Sequence, residues 1–221
     1  MPDKGNEQIM SGYKTGRDIM KTVRLLFLAG AAGDPTFWQP VANLLPASYR
    51  CTLQAYPEFA GQPKVASVHS FATLSDWVID HISQPTIIVA QSMGGIIAIQ
   101  AALRKPNYVQ GLVLVATSGG LDTSALGAAD WREDYLLNLA HLPTWFVEAQ
   151  YDLSPDLAHV KQPVLLLWGD ADPISPLAIG HALQQQLPHA HLHMIPQGQH
   201  DFAYQHAPQV AQHIRAFIES L

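Results

Sequence analysis

Ser92 is the residue on which chemistry could turn. It stands in Ala90-Gln91-Ser92-Met93-Gly94 with Gly95 behind it, a variant of G-x-S-x-G. In that pattern a serine occupies a sharp strand-to-helix turn and its hydroxyl projects clear of the sheet. Only small residues fit two positions to either side of such a turn. Gly94 meets the demand, and Ala90 departs from the strict pattern by one methyl. A serine hydroxyl is a weak nucleophile until a base takes its proton, so two further groups must converge on it. The later chain offers both. Gly169-Asp170-Ala171-Asp172-Pro173-Ile174-Ser175-Pro176 carries two carboxylates on a tight loop, and Pro196-Gln197-Gly198-Gln199-His200 ends on an imidazole. Each segment follows an apolar run of strand character, so the order along the chain is serine, acid, histidine.

These segments need a scaffold that brings them together. Residues 86–89 form a β-branched apolar run that reads as a strand buried on both faces, and 96–103 reads as the helix packed on it. Upstream, an apolar strand over 23–28 enters the glycine-rich turn 29–33, and Asp34 or Thr36 is placed to cap a helix with Pro35 in its first turn. A short strand follows over 50–55. Val68, Phe71, Leu74, Val78 and Ile82 recur at three- and four-residue steps, which predicts an amphipathic helix over 67–82. Strands over 108–116, 164–168 and 191–195 alternate with helices over 176–187 and 208–221. Such alternation predicts an α/β fold with a mostly parallel, doubly wound sheet flanked by helices, and ligands bind such sheets at the carboxyl ends of strands. One domain over 1–221 accounts for the pattern. Residues 117–162 break the rhythm and read as a small helical cap insertion, and residues 1–20 read as a loose N-terminal arm.

Composition narrows the partners. The formal charge of -6 and the absence of any Lys/Arg run argue against a nucleic-acid ligand. A single cysteine, Cys51, excludes an internal disulfide and any multi-cysteine metal site. Lys14, Arg17, Lys21 and Arg24 ahead of residues 25–32 have the outline of a secretory signal. Cleavage there would remove the first strand and its glycine turn, so a cytoplasmic protein is expected. No apolar stretch reaches the ~20 residues that span a bilayer. His189, His191 and His193 alternate on one strand, but no acid or cysteine accompanies them, so no metal is expected. The turn Gly30-Ala31-Ala32-Gly33 has neither G-x-G-x-x-G nor the Lys-Ser/Thr ending of a phosphate loop, which predicts a protein without a nucleotide cofactor.

The combination resembles the α/β-hydrolase family, in which nucleophile, acid and histidine come in this order. The resemblance covers residues 23–221. The family's early strand-turn-glycine segment falls on Leu28-Ala29-Gly30-Ala31-Ala32-Gly33, with Ala29 in place of its usual histidine. Its acid loop, G-x-x-D-x-x-x-P, falls on Gly169, Asp172 and Pro176, and its late loop on Gly198 and His200. The resemblance therefore implies Ser92 as nucleophile, His200 as base, and Asp172 rather than Asp170 as the acid that orients it. The Met93 N–H, at the positive end of the following helix, is one expected oxyanion donor; the resemblance implies the Ala31 N–H as the other. Phe37, Trp38, Trp131, Trp145 and Phe146 are expected to line a substrate pocket. The implied activity is cleavage of a small carboxylic ester through an acyl-enzyme, with no cofactor and no metal. Thioester, lactone, N-terminal peptide and carbon–carbon cleavage use the same apparatus. A non-catalytic receptor on this scaffold is the alternative from a different class.

Overall fold

The structure is a computed structural model that describes residues 22–221. The N-terminal arm expected over 1–20 lies outside the described residues. The chain runs through β1 (Arg24–Leu28), a 3-10 turn (Pro35–Trp38) leading into α1 (Gln39–Ala42), β2 (Arg50–Leu53), α2 (Phe71–Asp80), β3 (Thr86–Gln91) and α3 (Gly94–Arg104). It continues through β4 (Val109–Val115), α4 (Arg132–Asn138), α5 (Trp145–Glu148), a 3-10 turn (Leu157–His159), β5 (Val164–Gly169), α6 (Leu177–Gln186), β6 (Ala190–Ile195), α7 (Phe202–Gln205) and α8 (Ala207–Glu219).

Among the described residues all six strands join one sheet in the order β2-β1-β3-β4-β5-β6, and every neighbouring pair is parallel. The continuous apolar runs of the sequence are explained by helices on both faces, since a strand covered on both sides has no solvent face to make polar. Side chains alternate between the two layers. From β3, Ile88 and Ala90 enter the core beneath α2, α3 and α6, whereas Ile87 and Val89 enter the core shared with α1 and α8. Between β4 and β5 the chain leaves the sheet and forms only α4, α5 and a 3-10 turn.

Local chemistry sets the helix ends. Asp34 accepts a hydrogen bond from Thr36 N at 2.8 Å, with Pro35 in the first turn. Ser70 and Thr73 form a reciprocal capping box at the head of α2. The helix therefore starts at Phe71 rather than at 67. Val68 keeps the apolar rhythm because it is buried just ahead of the cap. The C-terminal helix carries Pro208 in its first turn, and the one-turn α7, with Phe202 buried, precedes it. Its four residues are too few to show a helical period.

Candidate active site

The site is built where β1, β3, β5 and β6 end. Ser92 directly follows β3 with φ +51°, a backbone conformation that L side chains seldom adopt and that surrounding contacts must enforce. Those contacts are visible. Ser92 N donates to Val115 O at 3.0 Å, and Ser92 O accepts from the Thr117 hydroxyl at 2.5 Å and from Gly95 N at 2.9 Å. The glycines are required by close approach. A Cβ on Gly94 would lie 2.6 Å from Ala29 O, and one on Gly95 would lie 2.6 Å from Thr117 Cγ2. Ala90 is fully buried between register partners Leu28 and Leu114, where one methyl is accommodated.

His200 lies beyond β6 and reaches back to the turn. Its Nε2 stands 3.1 Å from Ser92 Oγ, and its Nδ1 stands 2.8 Å from Asp172 Oδ2. In the tautomer that donates from Nδ1 to the carboxylate, Nε2 is free to accept the serine proton. The Asp172 side chain is fully buried while that of His200 is 22% exposed, so the imidazole alone of this pair meets the cavity. Two backbone donors, Ile174 N at 2.8 Å and Ser175 N at 3.0 Å, hold Asp172 Oδ1. Asp170, by contrast, is exposed and accepts from Gln197 N, tying the loop after β5 to the loop after β6. The same two loops meet again where Ala171 N donates to Gly198 O at 3.1 Å. Gln91 Nε2 donates to His200 O at 3.4 Å and links the serine turn to the histidine loop.

Two cavities, about 660 and 750 Å³, open onto this line of side chains, and both are bounded by Ser92, His200, Trp131 and Ile174. The first runs along the turn after β1 to Phe37 and Tyr204. The second lies against Met93 and the segments around 121–132 and 149–152. Of the aromatics expected at a pocket, Phe37 and Trp131 are there. Trp38, Trp145 and Phe146 are not. Trp38 is fully buried and donates from Nε1 to Leu28 O. Phe146 is buried among Tyr56, Phe59 and Phe71, and Trp145 packs edge-on against Phe59 at 5.7 Å between centroids. The short segment after β4 buries Phe146 in the core and lays the half-buried Trp145 against it, instead of spreading the two rings over the site. Tyr204 and Ile174 escaped the sequence reading, although one follows His200 by four residues and the other follows Asp172 by two.

Ala31 borders the first cavity and Met93 the second, and neither backbone N–H has an acceptor among the described residues. His191 and His193 are exposed on the edge strand, His193 beside His213 at 4.9 Å between ring centroids. Among the described residues no three His, Cys, Asp or Glu side chains group as metal ligands would.

The sequence pattern of the alpha/beta hydrolase family matches residues 25–153, more than half of the chain. The protein belongs to the α/β-hydrolase family. A second pattern, described as TAP-like protein, matches residues 129–221. An uncharacterized hydrolase of Bacillus subtilis (strain 168) is 25% identical over 88% of this chain and 89% of its own. The pimeloyl-[acyl-carrier protein] methyl ester esterase of Aeromonas salmonicida (strain A449) is 24% identical over 88% of this chain and 94% of its own. A solved structure of a thermophilic esterase from Thermogutta terrifontis superposes with a TM-score of 0.71 at 19% identity, covering 90% of each chain, so this α/β-hydrolase shares its fold. Among the described residues no helix is long and apolar enough to cross a membrane.

Proposed function

We propose that this α/β-hydrolase cleaves small carboxylic esters, with Ser92, His200 and Asp172 as its catalytic triad. The reading is carried by one observation, the unbroken line from Asp172 Oδ2 to His200 Nδ1 (2.8 Å) and from His200 Nε2 to Ser92 Oγ (3.1 Å). Ester substrates are supported by the relatives named esterases and by the largely apolar walls of the first cavity, among them Ala29, Ala31, Phe37 and Pro173.

In this mechanism Ser92 Oγ bonds to the ester carbonyl carbon while its proton passes to His200 Nε2. The carbonyl oxygen becomes an oxyanion, and the Ala31 and Met93 N–H groups donate to it. Collapse breaks the bond to the alcohol, which leaves with the proton from His200, and the acyl group stays on Ser92. Water then adds to the acyl carbon, giving a proton to His200, and the acid departs as that proton returns to Ser92. Asp172 stays ionised and holds the imidazole in register. The two cavities divide the substrate. Its apolar half occupies the first, and its polar half occupies the second, where Asp122, Asp130 and Asp152 with Arg132 disfavour an anionic group. Residues 117–162 act as the cap over that second half.

The test is hydrolysis of short-chain p-nitrophenyl esters by wild type and Ser92→Ala. The variant is expected to lose at least about 10³ in kcat, and a fluorophosphonate is expected to label the wild type alone. Equal turnover by the two proteins would overturn the assignment. Ligand binding with neither turnover nor labelling would instead mark a receptor.

A further inference from the structure

The turn that carries Ala31 is braced in an unusual way. Four successive carbonyls at the end of β1 each accept a hydrogen bond: Phe27 O from Gln54 N (2.9 Å), Leu28 O from Trp38 Nε1 (2.9 Å), Ala29 O from the Tyr56 hydroxyl (3.0 Å) and Gly30 O from Gly33 N (3.0 Å). The middle two donors are aromatic side chains with no exposure at all. They arrive from opposite faces of the sheet, Trp38 in the core shared with α1 and α8, Tyr56 in the core beneath α2 and α3. Gly94 closes a third side, since a Cβ there would stand 2.6 Å from Ala29 O and 3.0 Å from Leu28 O. The two carbonyls are thus clamped between two buried rings and the first residue of α3.

The Tyr56 hydroxyl fixes the Ala29–Gly30 peptide, and the next peptide carries the donor. Gly30 O and the Ala31 N–H point in opposite directions across that one trans unit, so Gly33 N, donating to Gly30 O, aims the N–H only as firmly as the preceding peptide is held. Glycine has no side chain to hold its own backbone, and Ala29 has no polar side chain to brace the turn. Beyond the Gly33 N–H on Gly30 O, the restraint on the preceding peptide must come from buried side chains. A buried tyrosine hydroxyl without a partner is costly. Burial also pushes the Tyr56 phenol far above its ordinary range, so it remains a donor. Ala29 O is its acceptor.

We propose that the Tyr56 hydroxyl, with Trp38 Nε1 opposite, is a positioning group for the oxyanion site. It holds the Ala29 carbonyl against Gly94, so that the Ala31 and Met93 N–H groups face a common point beside Ser92. The inference rests on the roles given above to Ser92 and Ala31.

Tyr56→Phe removes one oxygen and keeps the ring against Phe59 and Phe146. The expected result is a fall of about tenfold or more in kcat with KM within about twofold, since ~1 Å of misplacement costs about 10²-fold. A trifluoromethyl ketone, which adds to Ser92 as a tetrahedral oxyanion, is expected to bind more weakly by the same factor as kcat/KM. The corresponding secondary alcohol, which forms no oxyanion, is expected to bind unchanged. A merely structural role would move both inhibitors together. Wild-type kcat and ketone affinity in Tyr56→Phe would overturn the proposal, and so would equal weakening of ketone and alcohol. Trp38→Phe carries the same expectation and decides the matter if Tyr56→Phe does not fold. Equal activity in wild type and Ser92→Ala would mark failure of the underlying site assignment. Loss in Ser92→Ala with none in Tyr56→Phe would mark failure of the clamp alone.

Discussion

Asp172→Asn isolates the role of the buried acid, because the structure dictates which way the new amide must point. Asp172 Oδ1 accepts from Ile174 N and Ser175 N at 2.8 and 3.0 Å, and only the amide oxygen of asparagine can take that place. The amide nitrogen is then left 2.8 Å from His200 Nδ1, where Asp172 Oδ2 was. Two N–H donors cannot face one another, so the imidazole proton moves to Nε2. That nitrogen is the one 3.1 Å from Ser92 Oγ, and it no longer has a lone pair with which to accept the serine proton. The side chain is nearly isosteric and fully buried, so packing is preserved while the base is lost. The same change in a serine protease triad costs about 10⁴ in kcat, which at about 1.36 kcal/mol per decade is roughly 5.5 kcal/mol of barrier. The assay is kcat on a p-nitrophenyl ester, with the thermal transition measured beside it. Asp170→Asn is the control. Asp170 is exposed, its Oδ1 accepts from Gln197 N, and an amide oxygen replaces it there, so activity is expected within about twofold of wild type. Retention of more than about a tenth of kcat in Asp172→Asn would refute the reasoning, as would an equal loss in Asp170→Asn.

Two further expectations concern the frame around the site. Gly94→Ala should gain up to ~1 kcal/mol of helix propensity but lose about 1–3 kcal/mol to overpacking, because its Cβ meets the backbone oxygen of Ala29 at 2.6 Å and no side chain can swing aside. A lowered midpoint in urea together with lowered kcat is expected, and a more stable, fully active variant would contradict it. His213 is held below its ordinary 6.5, chiefly by burial and secondarily by His193 beside it. Its folded value lies below its unfolded one, so in that window the unfolded chain binds more protons, and stability is lost as pH falls from about 6.5 through the folded value. The Tm advantage of wild type over His213→Gln should therefore shrink between about pH 7.5 and about pH 5. A gap that does not change with pH would refute it.

Much of the scaffold was legible along the chain because its signals are local. A β-branched run over 86–89 and an apolar run over 164–168 mark strands covered on both faces, and the three- and four-residue rhythm from Phe71 to Val78 marks a helix. Small residues around Ser92 report a tight turn for the same reason, since crowding two positions away is a matter of adjacent backbone. Serine, acid loop and histidine could be named because each follows its own strand. Boundaries were less legible. Val68 shares the apolar rhythm of α2 yet lies outside it, since the capping box of Ser70 and Thr73 decides where the helix begins.

Residue types and spacing alone determined a parallel, doubly wound α/β scaffold with Ser92, an acid and His200 at three strand ends, because periodicity, turn chemistry and order belong to neighbouring residues. Only the tertiary structure decided what those neighbours could not. Residue types alone left two carboxylates on the acid loop, of which the family resemblance favoured Asp172; the structure holds that side chain against the imidazole through two backbone N–H groups and burial. It withdrew Trp38, Trp145 and Phe146 from the cavities, since an aromatic at a promising position serves the core or the pocket according to what packs above it. It also joined Tyr56 to Ala29, 27 residues apart, by a hydrogen bond that no local pattern contains. The physical reason is the same in each case: a contact between segments distant along the chain depends on how strands and helices stack in space, and that stacking is a property of the whole sheet.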